Sequence, residues 1–363
     1  MADEILRTGE NLTLAGGGAT HETQTVEVGA NGAVQLPQGF SFGTAEFSQA
    51  GPDLVMTAPD GRQVVVQDYF ASETPATLQT PQGGELVGAT AARLAAANTP
   101  AQFVQAGAAG AGDQPIGQVQ TITGSVTAIR ANGEKVELSE GDPVFKGDIL
   151  QSSANGSVGV VLADETTFSM AENGRMVLDE MVYDPSTQEG NISMSVLQGV
   201  FTFVSGQVAK VDPDAMSLKT PVATIGIRGT QVGVNLGDAA DGTPKLDVVL
   251  MEERDGFVGE VIVSNSAGIQ ILNLPEQGMR ITRIDVAPPP PQVMSRAEVR
   301  ESFGSSLDHL PQSVGSGNNY KASTGQQTQN QQGNPANFET AAGGNTGRTD
   351  EFTTAAAPKA GDA

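Results

Sequence analysis

Side chains suited to catalysis are sparse in this chain. Its 363 residues hold two histidines, His21 and His309, and no cysteine. An imidazole acts as a general base or metal ligand only where a nucleophile, an orienting acid or further ligands converge on it. His21 lies near the N-terminus and His309 beyond a run of prolines, so both read as lone surface groups. The lack of cysteine removes thiolate nucleophiles, sulfur-ligated metals and disulfides together. A Ser–His–acid triad has no strand–turn–helix elbow to sit on. Phosphate-loop and dinucleotide fingerprints are missing, and "GGGAT" near residue 16 is merely Gly-rich.

Carboxylates are plentiful instead: 42 Asp and Glu against 19 Lys and Arg, a net charge of −23. Asp164-Glu165, Asp179-Glu180 and Glu252-Glu253 each look like half of a two-carboxylate hydrolase site. At this density of acids they read as solvated turns. Asp212 and Asp214, and Asp238 and Asp241, offer oxygen ligands for Ca²⁺ but match neither the EF-hand loop nor the Gly-rich nonapeptide repeat. The expectation is therefore a chain that is not an enzyme and carries no cofactor and no metal. The acidity repels phosphate and anionic lipid, so nucleic acid is not an expected partner.

The elements that position these residues are short strands. Aromatics are scarce, Gly is abundant at 45, and apolar residues alternate with polar ones. Residues 1–21 read as a flexible N-terminus without the basic and apolar regions of a signal peptide. Residues 22–78 read as a small β prefix module, with Asp60-Gly61 turning between "LVMT" and "QVVVQ". Residues 79–116 read as an Ala/Gly-rich linker with a short helix near Ala89 to Ala97. Residues 117–286 read as the main β domain, opening with a hairpin whose turn is Ala131-Asn132-Gly133. Residues 287–310 form a Pro spacer and a short helix starting at the capping-box pair Ser295 and Glu298. Residues 311–363 are rich in Gln, Asn, Gly and Ala and read as a disordered tail. No run of about 18 apolar residues suggests a transmembrane helix.

Within 117–235 the order of motifs is specific. Two Gly-Asp pairs, Gly141-Asp142 and Gly147-Asp148, precede a strand into the acidic turn Asp164-Glu165. "VLQGVFTFVSGQ" follows, and the stretch ends in "TPVATIGIRGTQVGV", with Pro221, Gly226, Arg228, Gly229 and Thr230. This stretch resembles the FecR-type domain, the periplasmic part of ferric-citrate regulators. The resemblance implies an all-β, non-enzymatic domain, a sandwich, roll or short solenoid, working outside the cytoplasmic membrane. Under it, Gly226 and Gly229 let neighbouring backbone approach closely or form a bulge. Arg228 then lays its planar fork on a carboxylate or loop carbonyls, with Asp164 or Glu165 as candidate partner. The alternative is an Arg facing outward from a strand.

The prefix zone "GPDLVMTAPDGRQVVVQDYF" is similar to the N-terminal modules of large alphaproteobacterial surface and biofilm adhesins. The leading expectation is accordingly an envelope or cell-surface protein, adhesion or biofilm related, whose FecR-like domain binds other envelope or surface proteins. It would reach the surface or periplasm by a route without a classical signal peptide; the alternative location is the cytoplasm. The alternative function is a soluble component of a FecR-type transmembrane signalling system controlling transport genes. Thr340-Ala341-Ala342-Gly343 matches the dialanine site that a periplasmic protease cuts in some adhesins. Oligomeric state is not legible.

Overall fold

Alternation with a period of two builds the main domain. In Thr224–Arg228, Ile225 and Ile227 are fully buried while Thr224 is exposed. The same rhythm buries Val232, Val234 and Leu236 in Gln231–Asp238, and Val261 and Val263 in Glu260–Asn265. Strands with one buried face must stack that face on another. The computed structural model describes residues 22–97 and 114–311, apart from positions 213, 240, 254 and 255. It resolves the stacking as a two-sheet all-β sandwich, the first of the three architectures open to the sequence.

The first sheet runs in the order Pro143–Val144, Gly117–Thr123, Ser157–Leu162, Thr167–Met170, the end of Gly190–Val204, Gln231–Asp238, Pro244–Met251, Gln277–Ile281 and Gln292–Val293, all antiparallel. The second runs Lys135–Glu137, Val126–Ile129, Ile149–Ser152, Arg175–Tyr183, the start of Gly190–Val204, Met216–Lys219, Thr224–Arg228, Glu260–Asn265 and Gly268–Leu272. Its one parallel pairing joins Gly190–Val204 to Met216–Lys219. Gly190–Val204 serves both sheets: Ile192 to Ser195 pair in the second, and Gly199 to Val204 in the first. It bends at Gly199, whose φ of +111° suits only glycine and whose missing Cβ clears the backbone of Gly174. Between the sheets lies one apolar core, with Phe168, Phe201 and Phe203 in ring contact at 5.8 and 6.0 Å.

Three helices flank these strands: α1 (Gly88–Ala96), α2 (Gln207–Val211) and α3 (Arg296–Leu307). α1 belongs to a second core with the prefix strands, in which Phe47, Leu54, Met56, Val64, Tyr69 and Leu94 pack with Ile129, Ile149, Val177 and Leu197 of the second sheet. The prefix contributes a four-stranded sheet (Thr23–Val26, Gln63–Val66, Asp53–Thr57, Glu46–Ala50) and a three-stranded one (Ala33–Gln35, Thr77–Gln79, Glu85–Leu86). Residues 79–97, which composition marks as the start of a linker, are thus part of the packed fold. Ala91 and Ala95 are fully buried, and their small side chains permit the helix to sit close. Glu85 N donates to Pro221 O at 2.7 Å, a further tie to the sandwich.

α3 covers the first sheet. It begins at Ser295 with the capping box that the sequence spells, Glu298 N donating to Ser295 Oγ and Ser295 N to Glu298 Oε2. Val299, Phe303 and Leu307 pack on Val200, Val249 and Met251. Gly233 leaves room for the Phe303 ring, which a Cβ there would meet at 2.8 Å. The described residues lie within one compact unit. The 1–21 segment, residues 98–113 and residues 312–363, with Thr340, Ala341, Ala342 and Gly343, fall outside the described residues.

Candidate functional site

The segment from Thr220 to Thr230 carries the chain around the end of the sandwich. Thr220 closes a tight turn, its Oγ1 donating to Ala223 O at 2.8 Å and its amide to the same oxygen at 2.9 Å. Val222, Ala223, Ile225 and Ile227 fill the core. Gly229, at φ +59°, is the corner where the chain leaves the second sheet and enters the first. Thr230 is fully buried and fixes that corner: its amide donates to Ser205 Oγ at 2.8 Å and its Oγ1 to Met251 O at 3.2 Å.

Since Ile225 and Ile227 point inward, Gly226 and Arg228 point outward. Arg228 stands in register with Glu260 and donates Nη1 to its carboxylate at 2.6 Å and Nη2 to Asp214 at 2.7 Å. The expected partners Asp164 and Glu165 are therefore incorrect, because register across the sheet sets Glu260 beside Arg228, while Asp164 and Glu165 are engaged by Thr166, Val208 and Gln207. The Arg228 side chain faces outward, and its guanidinium takes two acids. With side-chain exposures of 32% for Arg228, 30% for Glu260 and 79% for Asp214, each pair contributes about 0–1 kcal/mol. The two acids hold the arginine's charge above its ordinary pKa range. Gly226 also departs from expectation. A Cβ there would meet only Ile262, at 3.8 Å, so no close backbone approach requires the glycine. Its effect is a shallow hollow beside Ile262.

The two Gly-Asp pairs are one device used twice. In each, glycine adopts positive φ (+90° at Gly141, +80° at Gly147). The Asp amide closes a turn onto the carbonyl three residues back, and the Asp carboxylate accepts that residue's amide at 2.8 Å, from Ser139 to Asp142 and from Phe145 to Asp148. They differ in burial. Asp142 lies near the surface, whereas Asp148 is fully buried and ion-paired to Arg130. Burial raises the Asp148 pKa against the opposing pull of Phe145 N and Arg130. Gly147 O in turn accepts from Arg93 Nε of α1 at 2.7 Å.

Asp164 is structural too. Its fully buried carboxylate accepts from Thr166 N (3.0 Å), Thr166 Oγ1 (2.8 Å) and Val208 N of α2 (3.3 Å), tying the turn to that helix. Burial raises its pKa. Glu165 sits at φ +71° and accepts from Gln207 Nε2. Asp212 and Asp241 cap their own turns, accepting from Asp214 N and Thr243 N, both at 3.0 Å. Among the described residues, no three His, Asp or Glu side chains are placed to hold a metal.

What sequence patterns did not reveal is the uncovered surface. α3 overlies the first sheet, and the prefix with α1 overlies the early strands of the second. The later strands of the second sheet, from Met216–Lys219 to Gly268–Leu272, keep an outer face open. The register aligns Ile271, Ile262, Gly226 and Ser217 in one row across it, and Ile269, Ser264, Thr224 and Lys219 in the next. Ile269 and Ile271 are 60% and 44% exposed, and Leu274 beside them 56%. Among the described residues, Gly268–Leu272 pairs on one side only, so it is a free edge.

Residues 148–250 match the family model described as "FecR protein". The chain thus carries a FecR domain, centred on the middle strands of both sheets. No curated protein matches the chain. Two crystal structures of a candidate anti-sigma factor from Parabacteroides distasonis, at 2.50 and 1.65 Å resolution, are similar at 13% and 15% identity. The similarity has TM-scores of 0.30 and 0.29, and covers 42% of this chain and 62% of each of those. No helix among the described residues is long and apolar enough to cross a membrane.

Proposed function

We propose that this chain is a component of a FecR-type signalling system in the cell envelope, and that it works by holding an extended segment of a partner protein. The observation carrying this reading is the free, apolar edge Gly268–Leu272, adjoining the outer face that holds the "IGIRGT" signature. A strand added there would gain main-chain hydrogen bonds, and its alternate side chains would meet Ile269 and Ile271. The partner is a different protein rather than a second copy, because a net charge of −23 opposes self-association at a neutral edge and favours a basic partner. The match to the FecR family supports regulation over adhesion, for which the arguments are the prefix similarity and the dialanine motif at Thr340 to Gly343.

The test is genetic with a structural control. Deletion of the gene should change transcription of genes under an alternative sigma factor, and the intact gene should restore it. The double variant Ile269→Lys/Ile271→Lys should fold with unchanged thermal stability yet fail to restore the transcript pattern. An unchanged transcript pattern together with lost surface attachment would overturn this reading in favour of adhesion.

A further inference from the structure

A second site is independent of that face. Beside the prefix, Gly43, Thr44 and Glu46 meet Lys135, Gln151, Ser152, Asn173, Arg175 and Gln198 around a polar cleft of about 330 Å³. Its floor holds an unusual arginine. Arg175 is 7% exposed, and burial lowers its pKa to about 10. Both of its hydrogen bonds leave from Nη1, to Ala45 O at 2.8 Å and Gly43 O at 3.3 Å. Nε is shielded from solvent and has no acceptor among the described residues, the guanidinium stands 6.0 Å from the Phe47 ring centre, and Arg175 makes no ion pair among them.

The contrast with other arginines of the same chain is direct. Arg280 sets Nε and Nη2 on Asp247 at 2.6 and 3.0 Å, and Arg283 sets the same edge on Asp285 at 2.8 and 2.7 Å. Each of those guanidinium groups holds a carboxylate. In a chain with 42 acids and 19 bases, a buried arginine lacking a carboxylate runs against the odds and against the cost of burying charge. Glu46, the acid whose field reaches Arg175, is exposed and not ion-paired to it. Lys135 adds a second positive charge at the rim. Around these stand three amides (Gln151, Asn173, Gln198) and the Thr44 hydroxyl, which donate and accept alike and so suit a ligand bearing several hydroxyls, while the Ser152 hydroxyl is engaged with Ala171 O and Gly174 N. The volume lies at the lower end of the range for small-molecule pockets, about 300–1,000 Å³.

We propose that this cleft binds a small hydroxylated carboxylate of the sugar-acid class, its carboxylate on Nη2 of Arg175 and its hydroxyls on the surrounding amides. Because Gly43 to Glu46 belong to the prefix, which lies outside the family match, the site arises only where prefix and FecR domain pack together.

Calorimetric titration of the full chain with D-glucuronate, acetate and D-glucose tests this. Glucuronate should bind at least about tenfold more tightly than either control, the carboxylate and the hydroxyls each being required. Lys135→Glu, at an exposed position, should weaken glucuronate several-fold without affecting the fold. Arg175→Lys should erase the preference for glucuronate over glucose, with thermal unfolding used to verify that the prefix stays docked. Absence of glucuronate binding at millimolar concentration, equal binding of glucose, or full affinity in folded Lys135→Glu would each overturn the proposal.

Discussion

Replacing Asp148 by Asn removes a charge while keeping the shape of the side chain. The Asp148 side chain is 1% exposed and that of its partner Arg130 15%, so neither ion has water to fall back on. Arg130 keeps two other contacts, Pro143 O at 3.2 Å and the Phe145 ring at 4.8 Å, but neither neutralises it. Breaking one member of such a buried pair typically costs about 3–5 kcal/mol. Glu260→Gln at the half-open Arg228 clamp is the internal control, and should cost under about 1 kcal/mol. The pair itself is not strongly stabilising, since Asp148 Oδ1 has no donor to accept from among the described residues. The double variant Arg130→Met/Asp148→Leu should therefore recover most of the loss. Urea unfolding of the full chain, compared by midpoint and slope, reads all three. An Asp148→Asn chain within about 1 kcal/mol of the parent, or a double variant worse than the single, would refute the reasoning.

Other outcomes follow from the same geometry. Acidification should first stabilise the protein. Burial raises the folded pKa of Asp164, Asp179 and Asp238 above 3.8, so between that value and the raised ones the native state holds more protons and stability falls as pH rises. Hydrogen-bonded Asp60, Asp184, Asp241 and Asp285 have lowered values, and their contribution is lost only as pH falls below 3.8. A thermal midpoint that drops steadily from neutral pH downward would contradict this ordering. Phe303→Ala should cost about 3–5 kcal/mol and render α3 sensitive to protease, as judged by limited digestion. Gly229→Ala should cost about 1–2 kcal/mol from the positive φ alone, and a neutral effect on the unfolding midpoint would show that the corner relaxes.

The sequence made local structure readable and left long-range partners hidden. The Asn132-Gly133 turn joins Val126–Ile129 to Lys135–Glu137, and Asp60-Gly61 joins Asp53–Thr57 to Gln63–Val66, as the turn residues dictate. Ser295 and Glu298 identify their helix because the capping interaction spans three residues. Arg228 drew notice by its setting between glycines, yet Glu260 is its partner through a register fixed by the whole sheet. The Ala-rich stretch reads as a short helix within a linker, and α1 lies there, but its docking is not legible because small residues mark both flexible chain and close packing; only the buried faces of Ala91, Leu94 and Ala95 distinguish the two. Arg175 carries no motif. Its environment is assembled from carbonyls at Gly43 and Ala45, more than a hundred positions away in the chain.

Strand order has a consequence for anyone dividing this protein. The segment with the family pattern, 148–250, starts after Gly117–Thr123 and ends before Gln277–Ile281. Yet Gly117–Thr123 lies against Ser157–Leu162 and Gln277–Ile281 against Pro244–Met251, so each cut strips a neighbour from a strand inside the segment. The excised piece would present raw edges in both sheets and would be prone to aggregate. In the cell, the same arrangement delays completion: the sandwich stays open-sided until the chain has been made as far as α3, which arrives last and places Ser306 O on Ser169 Oγ. Until then an unfinished chain presents strand edges, and the span that matches the family model is shorter than the span that completes both sheets.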